Sequence, residues 1–264
     1  MEIDLTLILI LILTGFTAGL VDAIAGGGGL ISLPVLLATG MNPVQALATN
    51  KLQGSFGCLA AAHYFVRKKM VDLKQMKLMI ACTFCGAATG SVMVQYIDAG
   101  LLVRFMPLLL ILIALYFLFS NRVSDEDSQR RISDGVLAFV FTTLLGFYDG
   151  FFGPGAGAFF NIVFVSLAGF SLIKAGAHSR VLNLTSNLAA LIFFAMGGHI
   201  LWAVGFIMAL GQFVGGRVGA SLAIKKGTRL IRPMIVGVTL VMSGKLLVDQ
   251  YDFNSALKLM AGII

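Results

Sequence analysis

Between Leu5 and Gly26 the chain carries a single charged residue, Asp22. A run of this length and polarity spans lipid, because about 20 mostly apolar residues match the hydrocarbon thickness. Similar runs follow near 43–65, 77–97, 101–120, 135–152, 174–196, 200–222 and 230–249. In hydrocarbon every backbone N–H and C=O must find a partner within the protein, so such a chain packs as helices. Only 12% of the 264 residues are charged, about half the share usual in soluble domains. The predicted fold class is an all-α integral membrane protein, and the length leaves no room for a separate soluble domain.

Two shorter apolar stretches, near 29–39 and 155–171, each follow a disruption: "DAIAGGGG" at 22–29 and "DGFFGPGAG" at 149–157. The resemblance extends further. Gly19, Asp22, Gly26 and Gly28 match Gly146, Asp149, Gly153 and Gly155 at an offset of 127. Lys51 in "ALATNKL" then falls on Arg180 in "AGAHSRV", and Phe84, Gly86 and Gly90 fall on Phe213, Gly215 and Gly219, at an offset of 129. The chain therefore reads as a first membrane repeat (1–120), a polar linker (121–134, "NRVSDEDSQRRISD") and a second membrane repeat (135–264), each with about five apolar segments.

Loop charge predicts the orientation. Arg67, Lys68, Lys69, Lys74 and Lys77, the linker arginines 122, 130 and 131, and the basic stretch 225–232 all belong on the cytoplasmic side. "IDAG" (97–100) and "GGH" (197–199) carry no Lys or Arg and belong outside. An odd number of segments per repeat inverts the second copy, an arrangement common among secondary transporters. Both termini are then periplasmic. The acidic "MEID" start lacks the positive region of a signal peptide, so the first run is read as retained. The net charge of +7 reflects these loops and does not point to nucleic acid.

The glycine stretches lack the strand before and helix after that a dinucleotide-binding loop requires. Close helix packing explains some glycines, but four in succession disfavour a continuous helix by about 1 kcal/mol each, and Pro154 has no N–H to donate. Helix breaks are expected there, with a possible re-entrant hairpin. The new N-termini at Gly27, Gly28 and Gly155 would present N–H groups to an anion. Asp22 and Asp149 precede the breaks. Two readings stay open for them: capping the following short helix, and binding a coupling proton or ion. Lys51 and Arg180, with Asn50, Thr49, His178, Asn183 and Asn187 nearby in sequence, form a candidate oxyanion site. The alternative for the cations is ion pairing with Asp22 and Asp149. Arg217 and Lys245 are further mid-segment charges that would line the path or pair with an acid. His63, His199, Tyr64 and Trp202 suit the membrane interface. Cys58, Cys82 and Cys85 read as small buried helix residues rather than a redox or metal pair. No metal or cofactor is expected.

The motifs "DAIAGGGGLISLPVLLATGMNP", "ALATNKLQ", "GFYDGFFGPGAGAF" and "AHSRVLNLTSN" resemble those of the sulfite exporter TauE/SafE family, also called TSUP. The resemblance covers nearly the whole chain. It implies a permease of the bacterial inner membrane acting on a small sulfur-containing anion such as sulfite, thiosulfate or an organosulfonate. Proton coupling and homo-oligomers are compatible with it, and no enzyme activity is expected. An anion channel is one alternative reading. An intramembrane aspartyl protease, invited by the two membrane aspartates, is another, though no GxGD motif is present.

Overall fold

The computed structural model describes residues 4–97 and 127–226, and these form helices with no strand among them. The expected segments 101–120 and 230–249, the tail beyond them and Lys245 lie outside the described residues. The first half gives α1 (Leu5–Ala25), α2 (Gly28–Ala38), α3 (Pro43–Arg67) and α4 (Lys77–Gln95). The second gives α5 (Asp134–Phe151), α6 (Ala156–Ser166), α7 (Leu172–Met196) and α8 (Trp202–Lys226). Five of these, α1, α4, α5, α7 and α8, are long and apolar enough to cross a membrane. α3 is as long as α7, and its apolarity is diluted by Thr49, Asn50, Lys51, Gln53 and Ser55, all buried.

The expected breaks are present. α1 ends where Gly26 turns left-handed at φ 87°, its N–H closing on the Asp22 carbonyl. Gly153 (φ 97°) and Gly155 (φ 80°) make the second break around Pro154. α2 and α6 are 11 residues each, about 16 Å of helix, or about half the hydrocarbon thickness. Each expected segment after a break is therefore a half-length helix. α5 carries one departure no pattern announced: its Leu137–Thr142 turn is a wide π-type turn, where Thr142 Oγ1 bonds the Ala138 carbonyl at 2.9 Å.

Glycine sets the packing. Gly15 and Gly19 of α1 lie against Met208 and Gln212 of α8, while Gly211, Gly215 and Gly219 lie against Ile12, Phe16 and Leu20. Residue numbers rise together, so α1 and α8 run parallel. On α3, Leu52, Gly57 and Tyr64 meet Gly205, Gly216 and Ser221, so α3 runs parallel to α8 as well. In the second group Gly86 and Gly90 of α4 meet Thr143 and Phe147 of α5, and Gly146 and Gly150 meet Thr83 and Ala87. A Cβ at these glycines would enter a neighbouring backbone, or at Gly57 and Gly205 the side chains of Gln212 and Leu52, so they permit the close approach that drives helix association in lipid. The contacts repeat at the same offsets: Gly215 on Phe16 corresponds to Gly86 on Thr143. α3 and α7 run antiparallel, since Gly54 meets Asn187 while Cys58 meets Asn183. With α1 and α3 parallel, α2 returns the chain toward the end at which α1 started.

Residues 127–131 are docked rather than loose. Ser128 N–H donates to the Gly169 carbonyl (2.7 Å) and Arg131 N–H to the Leu167 carbonyl (2.9 Å). Asp127 accepts from Lys174 Nζ (2.8 Å) and Ser171 N–H (2.7 Å). The Lys174 bond, then the Ser171 bond, hold its carboxyl below the usual value. A depressed carboxyl stabilises the fold above its unfolded pKa, near 4, and loses that contribution as pH falls through the lower folded value. Because both side chains are about half exposed, the effect is small. Melting curves of Asp127→Asn and the parent protein should differ slightly at neutral pH and converge as the pH falls below the ordinary carboxylate range. A difference that persists in acid would contradict this.

Candidate functional site

The two breaks meet at the centre of the molecule. Gly26 abuts the backbone of Gly157 and Ala158, and Gly29 abuts Pro154. Two apolar cores flank this level along α3 and α7. One includes Leu47, Leu52, Ala190 and Phe194, and the other Ala61, Phe65, Ala177 and Val181. Between them lies a polar layer that contains the four charged residues singled out above.

They are joined as two ion pairs, each crossing from one half to the other. Lys51 Nζ lies 2.5 Å from Asp149 Oδ1, with both side chains 2% exposed. Arg180 Nη1 lies 3.3 Å from Asp22 Oδ2 and donates to the Asp22 carbonyl at 2.5 Å. The same carbonyl accepts from Gly26 N–H, so Arg180 sits at the C-terminal end of α1, where the helix dipole favours a cation. Two cations and two carboxylates leave the quartet neutral. The pairing alternative raised for Lys51 and Arg180 is the arrangement the structure adopts.

The remaining bonds link the pairs. Asp149 also accepts from Asn183 Nδ2 at 2.8 Å and from the Ser186 hydroxyl. Asp22 Oδ2 accepts from the Cys58 thiol at 3.2 Å, and that sulfur also lies 3.1 Å from Asn183 Oδ1. Asn187 Nδ2 approaches Cys58 at 3.5 Å. A chain of polar contacts therefore runs from Arg180 through Asp22, Cys58, Asn183 and Asp149 to Lys51. One donor is left over: Arg180 Nε is buried with no hydrogen-bond partner among the described residues.

The two aspartates differ in their bonds to the half-helices. Asp22 Oδ1 accepts from Gly28 N–H at 3.2 Å and so caps α2. Asp149 makes no such bond to α6. Its acceptors serve Lys51, Asn183 and Ser186. Gly27 and Gly155 stand at the N-cap positions of α2 and α6, neither with a side-chain cap of its own. Gly153 packs against the Lys51 ammonium, and Gly157, at the start of α6, lies beneath the Arg180 guanidinium. The four glycines thus bring the half-helix starts to the charged layer.

Asn50, Asn183 and Asn187 belong to this layer. Asn50 Oδ1 accepts from Ser32 Oγ of α2 at 2.5 Å and from Gln53 Nε2 at 2.7 Å. Thr49 and His178 do not belong to it. Thr49 Oγ1 accepts Leu201 N–H at 3.1 Å, and the His178 ring packs on Phe170 and Phe164 with Nδ1 at the Lys174 carbonyl. Two residues along a helix turn the side chain roughly 200° away, so adjacency to Lys51 and Arg180 misplaced both. Arg217 pairs with no acid in the described structure; it is exposed and stacks on Tyr64 at 4.2 Å. His63 is exposed and His199 half-buried. Cys82 is buried and Cys85 exposed, so that pair is split between two environments. Ser186 and Ser32 stood out by no sequence signal, and Cys58 was expected only as a small buried helix residue. Cys58 was findable: it lies seven residues beyond Lys51, on the same face, and 129 before Asn187. No group of three His, Cys, Asp or Glu residues among the described ones could hold a metal. Nor are Asp22 and Asp149 arranged as a proton-sharing dyad, since each is bonded to a cation.

Residues 11–246 match the family described as sulfite exporter TauE/SafE. The chain belongs to that family. It is 50% identical over 242 residues to the "Probable membrane transporter protein YfcA" of Escherichia coli strain K12, covering 92% of this chain and 90% of that protein. A "Probable membrane transporter protein" of Haemophilus influenzae is 46% identical over 254 residues, covering 96% and 100%. The Bacillus subtilis protein named "Probable membrane transporter protein YunE" is more distant, 24% identical over 274 residues. No solved structure matches. Family membership and the apolar helices make this TauE/SafE chain a multi-pass membrane protein of a transporter family.

Proposed function

We propose that this chain is a secondary transporter of a small sulfur-containing anion, such as sulfite, thiosulfate or an organosulfonate, working by alternating access in the bacterial inner membrane. The observation that carries the reading is the reciprocal pairing: each half lends a cation to the other half's carboxylate, at the level where both helices break. Asp149 is the coupling group. A proton on Asp149 cancels its charge and releases the Lys51 ammonium to the incoming anion. One proton per negative charge keeps the layer neutral: one serves a monoanion such as hydrogen sulfite or a sulfonate, whereas a dianion such as thiosulfate would need a second, so that loading adds no net charge to a buried site. Arg180 Nε and the first-turn N–H groups near Gly27 and Gly155 complete the oxyanion contacts, Gly28 N–H being held by Asp22. Asp22 stays with Arg180 and caps α2. Asn50, Asn183 and Asn187 orient the charged groups and supply further donors. The antiparallel α3 and α7, and the contacts repeating at fixed offsets, support inverted repeats. Both termini then face the periplasm and the Arg67–Lys77 loop the cytoplasm.

Purified protein should melt at higher temperature with the transported anion than with chloride, because the ligand binds the folded state. Sulfite, thiosulfate, sulfate, organosulfonates and carboxylates are compared, and a stabilising carboxylate with inert sulfur anions would overturn the substrate class. Cys58 reports the motion. Its side chain is fully buried, so N-ethylmaleimide reaches it only when the helices part. Its alkylation rate in a Cys82→Ala/Cys85→Ala background should change several-fold when the anion is added. A rate unaffected by every anion would count against alternating access at this layer.

A further inference from the structure

Outside the polar layer, the strongest concentration of uncompensated charge lies where the ends of α3 and α8 meet. Tyr64, Arg67 and Lys68 share one face of α3 at spacings of three and four, and Arg217, Ser221 and Lys225 share one face of α8 at spacings of four. Tyr64, Arg67, Lys68 and Arg217 line a single open cleft between the two helices. None of these basic groups pairs with an acid among the described residues, whose four ion pairs all lie elsewhere.

The position of Arg217 is the informative one. Its neighbours Leu210, Phe213, Val214 and Val218 are exposed apolar side chains, 38–66% accessible, so none of the described residues covers this face of α8, and in a spanning helix it would meet lipid. Arg217 stands nine residues before the helix end at Lys226, about 14 Å back along the axis. A bare guanidinium at that depth on a lipid-facing surface is costly. Here one face of the guanidinium is covered by the Tyr64 ring, 4.2 Å from its centroid. The residue is exposed, and a guanidinium offers its N–H donors in the fork geometry that suits a phosphate. Tyr64 is itself fixed by its hydroxyl bond to Ser221 Oγ at 3.4 Å.

We propose that this cleft is a binding site for the phosphate headgroup of an anionic phospholipid. Arg217 holds the phosphate from the α8 side, and Arg67 and Lys68 hold it from the α3 side. The exposed apolar residues of α8 carry the acyl chains. The lipid is preferred over free phosphate because the cleft opens directly onto that apolar face. Its headgroup would also bridge α3 to α8, the contact that holds Leu52, Gly57 and Tyr64 in register with Gly205, Gly216 and Ser221.

The test is lipid retention by the full chain. Protein extracted from nanodiscs containing phosphatidylethanolamine and cardiolipin is examined by native mass spectrometry. The parent protein should keep cardiolipin in preference to phosphatidylethanolamine. Each basic group near the surface contributes about 1 kcal/mol, or about fivefold in affinity. Arg217→Ala should therefore lower retention about fivefold, and Arg67→Ala/Lys68→Ala/Arg217→Ala should abolish the preference. Lys77→Ala, at the exposed start of α4, serves as a control and should change nothing. Unchanged retention in the triple variant overturns the proposal, as does an equal loss in Lys77→Ala, which would mark a diffuse charge effect. Competition of cardiolipin by millimolar inorganic phosphate would show a free-anion site instead and also overturn it. Arg217 is exposed, so the variants should fold, and unchanged melting temperature without added lipid confirms it.

Discussion

Lys51→Met and Asp149→Asn should each strongly destabilise the protein, while the double variant should recover most of the lost stability and none of the transport. The pair is sealed in the centre, with both side chains 2% exposed. Removing one partner strands the other charge in a medium that cannot solvate it, at a cost of roughly 3–5 kcal/mol. Removing both leaves no stranded charge. Methionine fills much of the lysine volume, and asparagine at 149 still accepts from Asn183 Nδ2. Melting in detergent tests the first part, and flux in proteoliposomes tests the second. The two readouts separate a structural pair from a working one. If the double variant transports at the parent rate, Lys51 and Asp149 only hold the fold. If the double variant melts as low as the singles, the charge-stranding account is wrong.

Gly26→Ala should have a still larger effect on folding and leave little protein in the membrane. Gly26 turns at φ 87°, a conformation that costs an L-residue roughly 1–2 kcal/mol. Its added Cβ would also fall inside the backbone of Gly157 and Ala158. Neither backbone can yield without moving a half-helix start away from the charged layer. Gly40→Ala is the control: it shares φ 87° and has open space around it, so it should lose only the conformational part. Comparable yields of the two variants would show that the close contact between the breaks is not a constraint.

Much of this was legible in the sequence because membrane interiors make certain residues rare. Two aspartates, two mid-helix cations and two glycine clusters in apolar surroundings could be matched across the halves. The run of four glycines and Pro154 predicted the breaks that the structure places at Gly26 and Gly153. What could not be read was which partner each charge takes. Lys51 and Asp149 are 98 residues apart, and nothing local favours that pairing over Lys51 with Asp22. The same blindness hid the difference between the aspartates, since which of them reaches a half-helix N–H is set by how each break folds. Thr49 and His178 were assigned by neighbourhood, and helical rotation turned both away. The wide turn at Leu137–Thr142 has no glycine or proline to announce it; it rests on hydrogen bonds from Thr142 to Ala138 and to Met79 of the next helix.

The parallel contacts of α1 and α3 with α8, and of α4 with α5, bear on how the protein is made. Each half lends a helix to the other. α4 leaves the ribosome with Gly86 and Gly90 uncovered, and their partners Thr143 and Phe147 arrive only after the linker has been synthesised. α1 and α3 wait longer, until α8 supplies Met208, Gln212 and Gly216. The first half is thus an unfinished object in the bilayer, its glycine seams facing lipid. Assembly closes late, and both charged pairs wait for the second half as well, Lys51 for Asp149 on α5 and Asp22 for Arg180 on α7.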